Sequence, residues 1–296
     1  MTQSLLDPTL DTRIRVGVSS CLVGEEVRYN GGHARQRYLT DLLGDFVDFV
    51  PVCPEVEVGM GVPRPTVRLE LQHDRVRMVD PKNGVDWTSA MERYSRHRAA
   101  ELLDEDLCGF VLKKGSPTCG IERVKLYRDT APRKDGVGLF AQALGDRFPF
   151  LPMEEEGRLN DPALRENFVT RVFAYRRLKD AFAPRWRVGD IVAFHTREKL
   201  LLRAHDEVSY RALGRLVADA KRLPRPAFAA EYQERFMLAL AKRATVRKNT
   251  NVLQHVVGFV RSAGDEAGRK EWCAASALSR SCTRAQLSSG WPRRCC

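Results

Sequence analysis

Four cysteines occur in the first half of the chain, and the neighbours of three of them are typical of loops rather than of a buried core. Cys21 lies in SSCL, Cys53 in VCPE and Cys119 in SPTCG, whereas Cys108 lies in the apolar stretch LCGFVL. No CxxC pair is present, and three buried structural thiols are the alternative interpretation. Three thiolates without a fourth suit a metal or cluster that keeps one coordination position open for a substrate. The residue types alone leave zinc and iron–sulfur equally open.

Each of the three motifs comes at the end of a stretch that is typical of a β-strand. The stretches are RIRVGV (13–18), FVDFVPVCPE (46–55) and LCGFVLKKGSPTCG (107–120), and helix-like segments at 34–44 and 88–106 separate them. Strands that alternate with helices predict an α/β domain with a mainly parallel sheet. Ligands of such sheets bind outside the carboxyl ends of the strands. We therefore expect the three cysteines to converge on one site.

The two halves of the chain differ in charge and in hydrophobic pattern. Residues 1–150 hold 21 Lys and Arg against 22 Asp and Glu, a net charge of −1, whereas residues 151–296 hold 28 against 16, a net charge of +12. This distribution excludes a uniformly basic protein that coats nucleic acid. Beyond the acidic segment 153–164, apolar residues recur every three or four positions, which predicts helices.

These patterns predict two domains with extensions. They are an N-terminal extension (1–12), an α/β domain with a mainly parallel sheet and flanking helices (13–152), a linker (153–164), a basic all-α domain (165–262) and an atypical tail (263–296). The tail is rich in Ser, Arg and Cys and holds four of the eight cysteines. Its composition indicates disorder or an altered reading frame rather than a zinc site, because it has no CxxC spacing.

The chain has no obvious export or membrane signal. Its apolar runs fall short of the roughly 18–20 residues of a membrane span, and its N-terminus lacks the apolar core of a signal peptide. We therefore expect a cytoplasmic protein with free thiols, without a membrane and without an evident protein partner.

Three motif blocks resemble, in order, those of the thiouracil desulfidase family. They are SSCLVGEEVRYNGGH (19–33), VPVCPEVEVGMGVPRP (50–65) and KKGSPTCG (113–120). Members of that family carry a [4Fe–4S] cluster held by three cysteines, and the resemblance implies that the ligands here are Cys21, Cys53 and Cys119. The family also uses a glutamate and a serine near the cluster. Their best matches are Glu55 and Ser116, with Glu57, Glu25 and Glu26 as other acids nearby.

The second half resembles the helical domain that is often fused to this family. The similar segments are FHTREKLLLRAHD (194–206), YRALGRLVA (210–218) and NVLQHVVGF (251–259). Two-domain chains of this build resemble tRNA 4-thiouridine desulfidases, which implies conversion of 4-thiouridine in tRNA to uridine with release of sulfide. A charge of +12 beside a neutral domain is typical of RNA backbone binding. Desulfidation of free thiouracil or another small thioamide is one alternative, and a non-enzymatic RNA-binding or sulfur-sensing metalloprotein is another.

Replacement of C=S by C=O needs a Lewis acid for the sulfur, water as nucleophile and a proton shuttle. The cluster would act as a Lewis acid on the thiocarbonyl sulfur, without net redox change. Glu55 would act as general base on water or as acid toward the ring nitrogen, and Ser116 would position the water or the base. Side chains expected to contact the substrate are Ser20, Arg28, Asn30 and Lys113, although Asn30-Gly31 is also typical of a plain turn.

Overall fold

A computed structural model of the chain describes residues 13–128 and 131–263. The expected N-terminal extension and the tail from residue 264 onward lie outside the described residues. The chain divides into two compact units, 1–177 and 178–296.

The first unit combines eight strands and five helices within its described residues. The strands are β1 (Ile14–Ser19), β2 (Val47–Val52), β3 (Arg68–Gln72), β4 (Arg75–Val79), β5 (Gly109–Leu112), β6 (Val124–Tyr127), β7 (Arg133–Gly136) and β8 (Met153–Glu155). The helices are α1 (Arg37–Asp41), α2 (Pro54–Glu57), α3 (Thr88–Glu101), α4 (Leu139–Arg147) and α5 (Pro162–Ala181).

The main sheet is parallel throughout, with strand order β2-β1-β5-β8. Ser19 pairs with Val52 on one side of β1, and Val18 pairs with Val111 on the other. The carboxyl ends of these neighbouring strands therefore lie at the same edge. The predicted α/β domain with a mainly parallel sheet is confirmed.

Both faces of this sheet are buried, which explains the continuous apolar runs of its strands. Val16 and Val111 face one core cluster, and Val52 and Leu112 face the other. Gly17 allows the Phe110 ring to pack against β1, because a Cβ at this position would lie only 2.2 Å from the ring.

A second, mixed sheet has the order β4-β3-β6-β7 and was not predicted from the sequence. Its strands are short and rich in charged residues, as in RLELQ and RKDG, so they lack the apolar signal of the main sheet. Leu69, Met78 and Leu126 pack on Met91 of α3 beneath it.

The described part of the second unit is helical, which confirms the predicted all-α region. Its helices are α6 (Val188–His205), α7 (Glu207–Ala218), α8 (Arg225–Ala241) and α9 (Val246–Ala263). Aromatic side chains form much of its core, with Phe194, Phe228, Tyr232 and Phe236 all buried. None of the described helices is long and apolar enough to cross a membrane.

The boundary between the units lies later than the expected linker. Met153–Glu155 forms β8, the edge strand of the parallel sheet, rather than linker chain. Helix α5, expected in the basic domain, buries Phe168 and Val172 in the core of the first unit. Apolar contact with the sheet therefore keeps most of α5 in the first unit, which ends at Arg177.

Candidate functional site

Three cysteines follow the carboxyl ends of three adjacent parallel strands. Cys21 lies in the 3₁₀ turn Ser20–Leu22 after β1, Cys53 directly precedes α2 after β2, and Cys119 lies in the loop after β5. All three line one cavity of about 250 Å³. The predicted convergence at one sheet edge is therefore present in the structure. Cys108 lies in the apolar core away from this cavity, as its neighbours indicated.

The three thiols are shielded from water, which disfavours their charged form. Burial raises the pKa of Cys21 to about 11 and that of Cys119 to about 12, and it also raises the pKa of Cys53. Lys113 lowers the pKa of Cys21 while the nearby Cys53 raises it. Buried thiols of high pKa are poor free nucleophiles, and metal binding must displace their protons.

Three thiols that line one cavity form a donor set that fits a [4Fe–4S] cluster. Among residues 13–128 and 131–263, no group of three or more His, Cys, Asp or Glu side chains is placed to hold one metal ion. A [4Fe–4S] cluster binds its thiolates through different irons, so its ligands can stand farther apart. The cavity volume also far exceeds the roughly 10–15 Å³ that one water molecule needs.

Glu55 lies in the same cavity wall, directly after Pro54 in the first turn of α2. Its Oε2 accepts two hydrogen bonds from Arg64, from Nε at 3.0 Å and from Nη2 at 2.6 Å. Its Oε1 accepts a hydrogen bond of 2.7 Å from Thr118 Oγ1. All three contacts are donated to the carboxylate oxygens, so they fix the orientation of the Glu55 side chain.

The other acids near Cys53 have different surroundings. Glu57 accepts hydrogen bonds from the Cys53 backbone N–H at 2.8 Å and from the Tyr94 hydroxyl at 2.6 Å. It thereby caps α2 and fixes the chain at Cys53. Glu25 and Glu26 are exposed and do not line the cavity. Of the four acids considered from the sequence, Glu55 is the one in the cavity wall.

Ser116 shapes the loop that carries Cys119. Its Oγ accepts hydrogen bonds from the backbone N–H groups of Thr118 and Cys119, both at 3.2 Å. It also lies 2.7 Å from Thr118 Oγ1 and 3.4 Å from Glu55 Oε1. The Ser116 hydroxyl therefore connects to the carboxylate most closely through Thr118.

Three of the four expected substrate contacts line the cavity, namely Ser20, Arg28 and Lys113. The Lys113 ammonium forms an ion pair with the Glu156 carboxylate, which also accepts a hydrogen bond from the Lys114 N–H at 2.6 Å. Asn30 is not part of the cavity wall, and its Oδ1 accepts a hydrogen bond from the Gly32 N–H within a turn.

Sequence reasoning missed Arg64, Thr118 and Glu156. Arg64 and Thr118 both lie inside the quoted motif blocks, but nothing in their spacing indicates contact with Glu55, because that contact joins separate loops. Glu156 directly follows β8, so it reaches the same sheet edge as the cysteines. Recognition of β8 as a strand would have been the signal for it.

The basic segments of the second half contain structural as well as exposed cations. Arg176 forms a 2.6 Å ion pair with Asp106, and Lys242 pairs with Asp206. Arg243 and Arg247 are exposed. Part of the positive charge of the second half is therefore held in ion pairs with carboxylates of the chain.

Two family models match the chain, each over one of its two regions. The 2-thiouracil desulfurase model matches residues 16–156, which include the parallel sheet and the cavity. A model described as a protein of unknown function (DUF1722) matches residues 199–277.

Relatives and a solved structure match over parts of the chain. Uncharacterized protein YbgA of Escherichia coli (strain K12) is 33% identical over 113 residues, which cover 37% of this chain and 65% of YbgA, just under two thirds of its length. Uncharacterized protein YbbK of Bacillus subtilis (strain 168) is 30% identical over 109 residues, which cover 35% of this chain and 71% of YbbK. The [4Fe–4S]-dependent thiouracil desulfidase TudS is 27% identical with a TM-score of 0.42, over 52% of this chain and 98% of that one.

Proposed function

Because the chain belongs to the 2-thiouracil desulfurase family, we propose that it is a desulfidase that converts 4-thiouridine in tRNA to uridine and releases sulfide. The observation that carries this proposal is the convergence of three cysteines and Glu55 on one cavity at the carboxyl edge of the parallel sheet. The reaction exchanges C=S and water for C=O and hydrogen sulfide, so it needs no external oxidant or reductant.

Cys21, Cys53 and Cys119 are the proposed ligands of a [4Fe–4S] cluster. Their thiols line one cavity from three separate loops, and a cluster held by these three ligands would keep one iron for the substrate. Such an iron supplies a thiophilic Lewis acid for the thiocarbonyl sulfur. Cys21 and Cys53 follow their strand ends within two residues, whereas Cys119 lies seven residues after β5 in a loop held by Ser116.

Glu55 is the proposed general base. A carboxylate has about four acceptor positions. Arg64 donates twice to Oε2, Thr118 donates once to Oε1 at 2.7 Å, and Ser116 Oγ lies 3.4 Å from Oε1. A water molecule in the cavity that donates to Oε1 would lose its proton to Glu55 as it attacks the thiocarbonyl carbon. Ser116 supports this arrangement through its contact with Thr118.

The proposal of tRNA as substrate is supported by charge. The second half of the chain carries +12 beside a first half of −1. Exposed cations such as Arg243 and Arg247 can contact phosphates, and each contact releases counterions. Arg28 lies at the cavity and can contact the phosphate or the base of the target nucleotide.

Anaerobic reconstitution followed by two parallel assays tests the proposal. Iron and sulfide analysis should give about four of each per chain, whereas one zinc per chain would exclude the cluster. The loaded protein is then incubated with bulk thiolated tRNA or with free 4-thiouracil, and the released sulfide is measured.

Sulfide release from tRNA at low substrate concentration is the expected result. Release from free 4-thiouracil alone would favour the small-thioamide alternative. A fully loaded protein that releases no sulfide from either substrate would exclude the desulfidase function and favour a binding or sensing role.

A further inference from the structure

Arg64 is a buried cation whose side chain is committed to one carboxylate. Only 4% of its side chain is exposed, against 15% for that of Glu55. Nε and Nη2 both donate to Glu55 Oε2, and Nη1 donates to the Gly61 carbonyl at 3.0 Å. A buried charge needs a partner and further hydrogen bonds to offset its loss of hydration. Arg64 has both, so its guanidinium is held in a fixed orientation.

The backbone around Arg64 holds this guanidinium in place. Its N–H donates a 2.9 Å hydrogen bond to the Tyr29 carbonyl, which ties the loop to another part of the cavity wall. Gly61 has a φ of +74°, a conformation that favours glycine, and its carbonyl accepts the Nη1 bond. The loop thus fixes both the backbone and the guanidinium group of Arg64.

The two oxygens of Glu55 have different environments as a result. Oε2 accepts two bonds from the rigid guanidinium fork, whereas Oε1 accepts a 2.7 Å bond from Thr118 and has Ser116 Oγ at 3.4 Å. Rotation of the carboxylate would break both Arg64 bonds together. A lysine could not replace this fork, because its ammonium lacks the planar pair of donors.

From this geometry we infer that Arg64 is a positioning residue, which fixes Glu55 in the one orientation that presents Oε1 to the attacking water. The inference rests on the proposed function, because it assigns Arg64 an effect only through Glu55. Misplacement of a reacting group by about 1 Å can cost about 100-fold in rate. Loss of Arg64 should therefore lower kcat by about that factor and leave KM within about twofold.

A double-mutant cycle between Arg64→Met and Glu55→Gln tests the inference in the cluster-loaded protein. Sulfide release from thiolated tRNA is followed under single-turnover conditions, so that slow variants can be measured. Arg64→Met alone should lose about 100-fold in rate, but it should cost less than about threefold in the Glu55→Gln background. Equal losses in both backgrounds would overturn the inference, since they would mean that Arg64 acts independently of Glu55.

Thermal unfolding of the same four proteins gives a readout that does not depend on activity. Arg64→Met leaves the Glu55 charge buried without its partner, so it should lower Tm more with Glu55 present than with Gln at position 55. If the Tm changes caused by the two single substitutions add in the double variant, Arg64 and Glu55 do not stabilise each other as a buried pair. Arg77→Met removes an arginine that pairs with Asp86 away from the cavity, and it should leave the rate unchanged.

Two further measurements apply if a variant does not fold, does not load iron or gives no measurable rate. If Arg64→Met does not fold or load iron, Arg64→Lys takes its place and should show a smaller loss of kcat that again disappears in the Glu55→Gln background. If Glu55→Gln gives no measurable rate, guanidinium ion is added to Arg64→Ala instead. It should partly restore the rate of this variant and leave the rate of the wild type unchanged. Absence of rescue overturns the inference. A wild-type protein that releases no sulfide refutes the proposed function, whereas an active wild type with additive variants refutes only the role of Arg64.

Discussion

Thr118 Oγ1 donates a 2.7 Å hydrogen bond to Glu55 Oε1 and lies 2.7 Å from Ser116 Oγ, so it stands between the serine and the carboxylate. The direct separation of Ser116 and Glu55 is 3.4 Å, and the serine also accepts two backbone N–H groups of its own loop. The side chain of Thr118 is thus the closer support of the carboxylate. Ser116 supports it mainly by holding the loop.

Removal of the Thr118 hydroxyl should lower the rate of sulfide release. Thr118→Val keeps the shape of this buried side chain but removes a hydrogen bond to a charged group, which contributes about 1.5–3 kcal/mol. Full loss of that contribution in the transition state corresponds to about 10- to 100-fold in kcat. Thr118→Ser, which keeps the hydroxyl, should retain most of the activity. Equal losses in both variants would show that the methyl packing matters and the hydrogen bond does not.

The four described cysteines should separate into two classes on substitution. Replacement of Cys21, Cys53 or Cys119 by Ala should each reduce bound iron and abolish sulfide release, because each thiol supplies one proposed ligand. Cys108→Ala should keep the full iron content and cost only about 1–2 kcal/mol in the free energy of unfolding, through a small core cavity. Iron analysis and urea unfolding measure the two effects. Full iron content in any of the first three variants would remove that cysteine from the ligand set.

The position of the cysteines could be predicted from the sequence because parallel sheets follow a simple rule. Apolar runs identify β1, β2 and β5, and strands of this type place their carboxyl ends at one edge. Cys21, Cys53 and Cys119 each follow such a run closely. Their convergence needed only the strand assignments and no knowledge of the loops.

The support of Glu55 could not be predicted in the same way. Arg64 reaches it from an irregular loop that contains Gly61, and its contact depends on backbone angles with no periodic signal. The second sheet was missed for a related reason. Strand β7 is largely charged, and β3 alternates polar residues with leucine, so neither has the continuous apolar run that identified β1, β2 and β5.

Two exposed arginines of the second unit should contribute to RNA affinity. The double substitution of Arg243 and Arg247 by Gln should weaken tRNA binding and reduce the slope of log K against log salt by about 1 for each lost phosphate contact. Activity on free 4-thiouracil should not change. The matched control replaces Arg75 and Arg93, two exposed arginines of the first unit, by Gln. A salt slope that falls equally in both double variants would mean that total charge, rather than this surface, sets the affinity.

Asp206 should make the stability of the second unit dependent on pH. Burial favours its neutral form, but hydrogen bonds from Lys242 and Ser209 outweigh this effect and lower the pKa of the Asp206 carboxyl below its usual range. A carboxyl whose pKa is lower in the folded state stabilises the protein fully above the unfolded value of about 3.9 and loses that effect as the pH falls through the folded pKa. Asp206→Asn should therefore lower the free energy of unfolding by about 1 kcal/mol at pH 7, a figure reduced for the exposure of Lys242.

Urea unfolding of the wild type and Asp206→Asn at a series of pH values measures this effect. The difference between the two should stay constant from pH 7 to about pH 5 and narrow below about pH 4, because protonated Asp206 loses its ion pair with Lys242. Asp219→Asn is the matched control, since Asp219 forms an exposed pair with Arg222 that should contribute less than about 0.5 kcal/mol at any pH. A difference for Asp206→Asn that stays unchanged down to pH 3 would mean that its cost comes from packing or helix capping rather than from the charge.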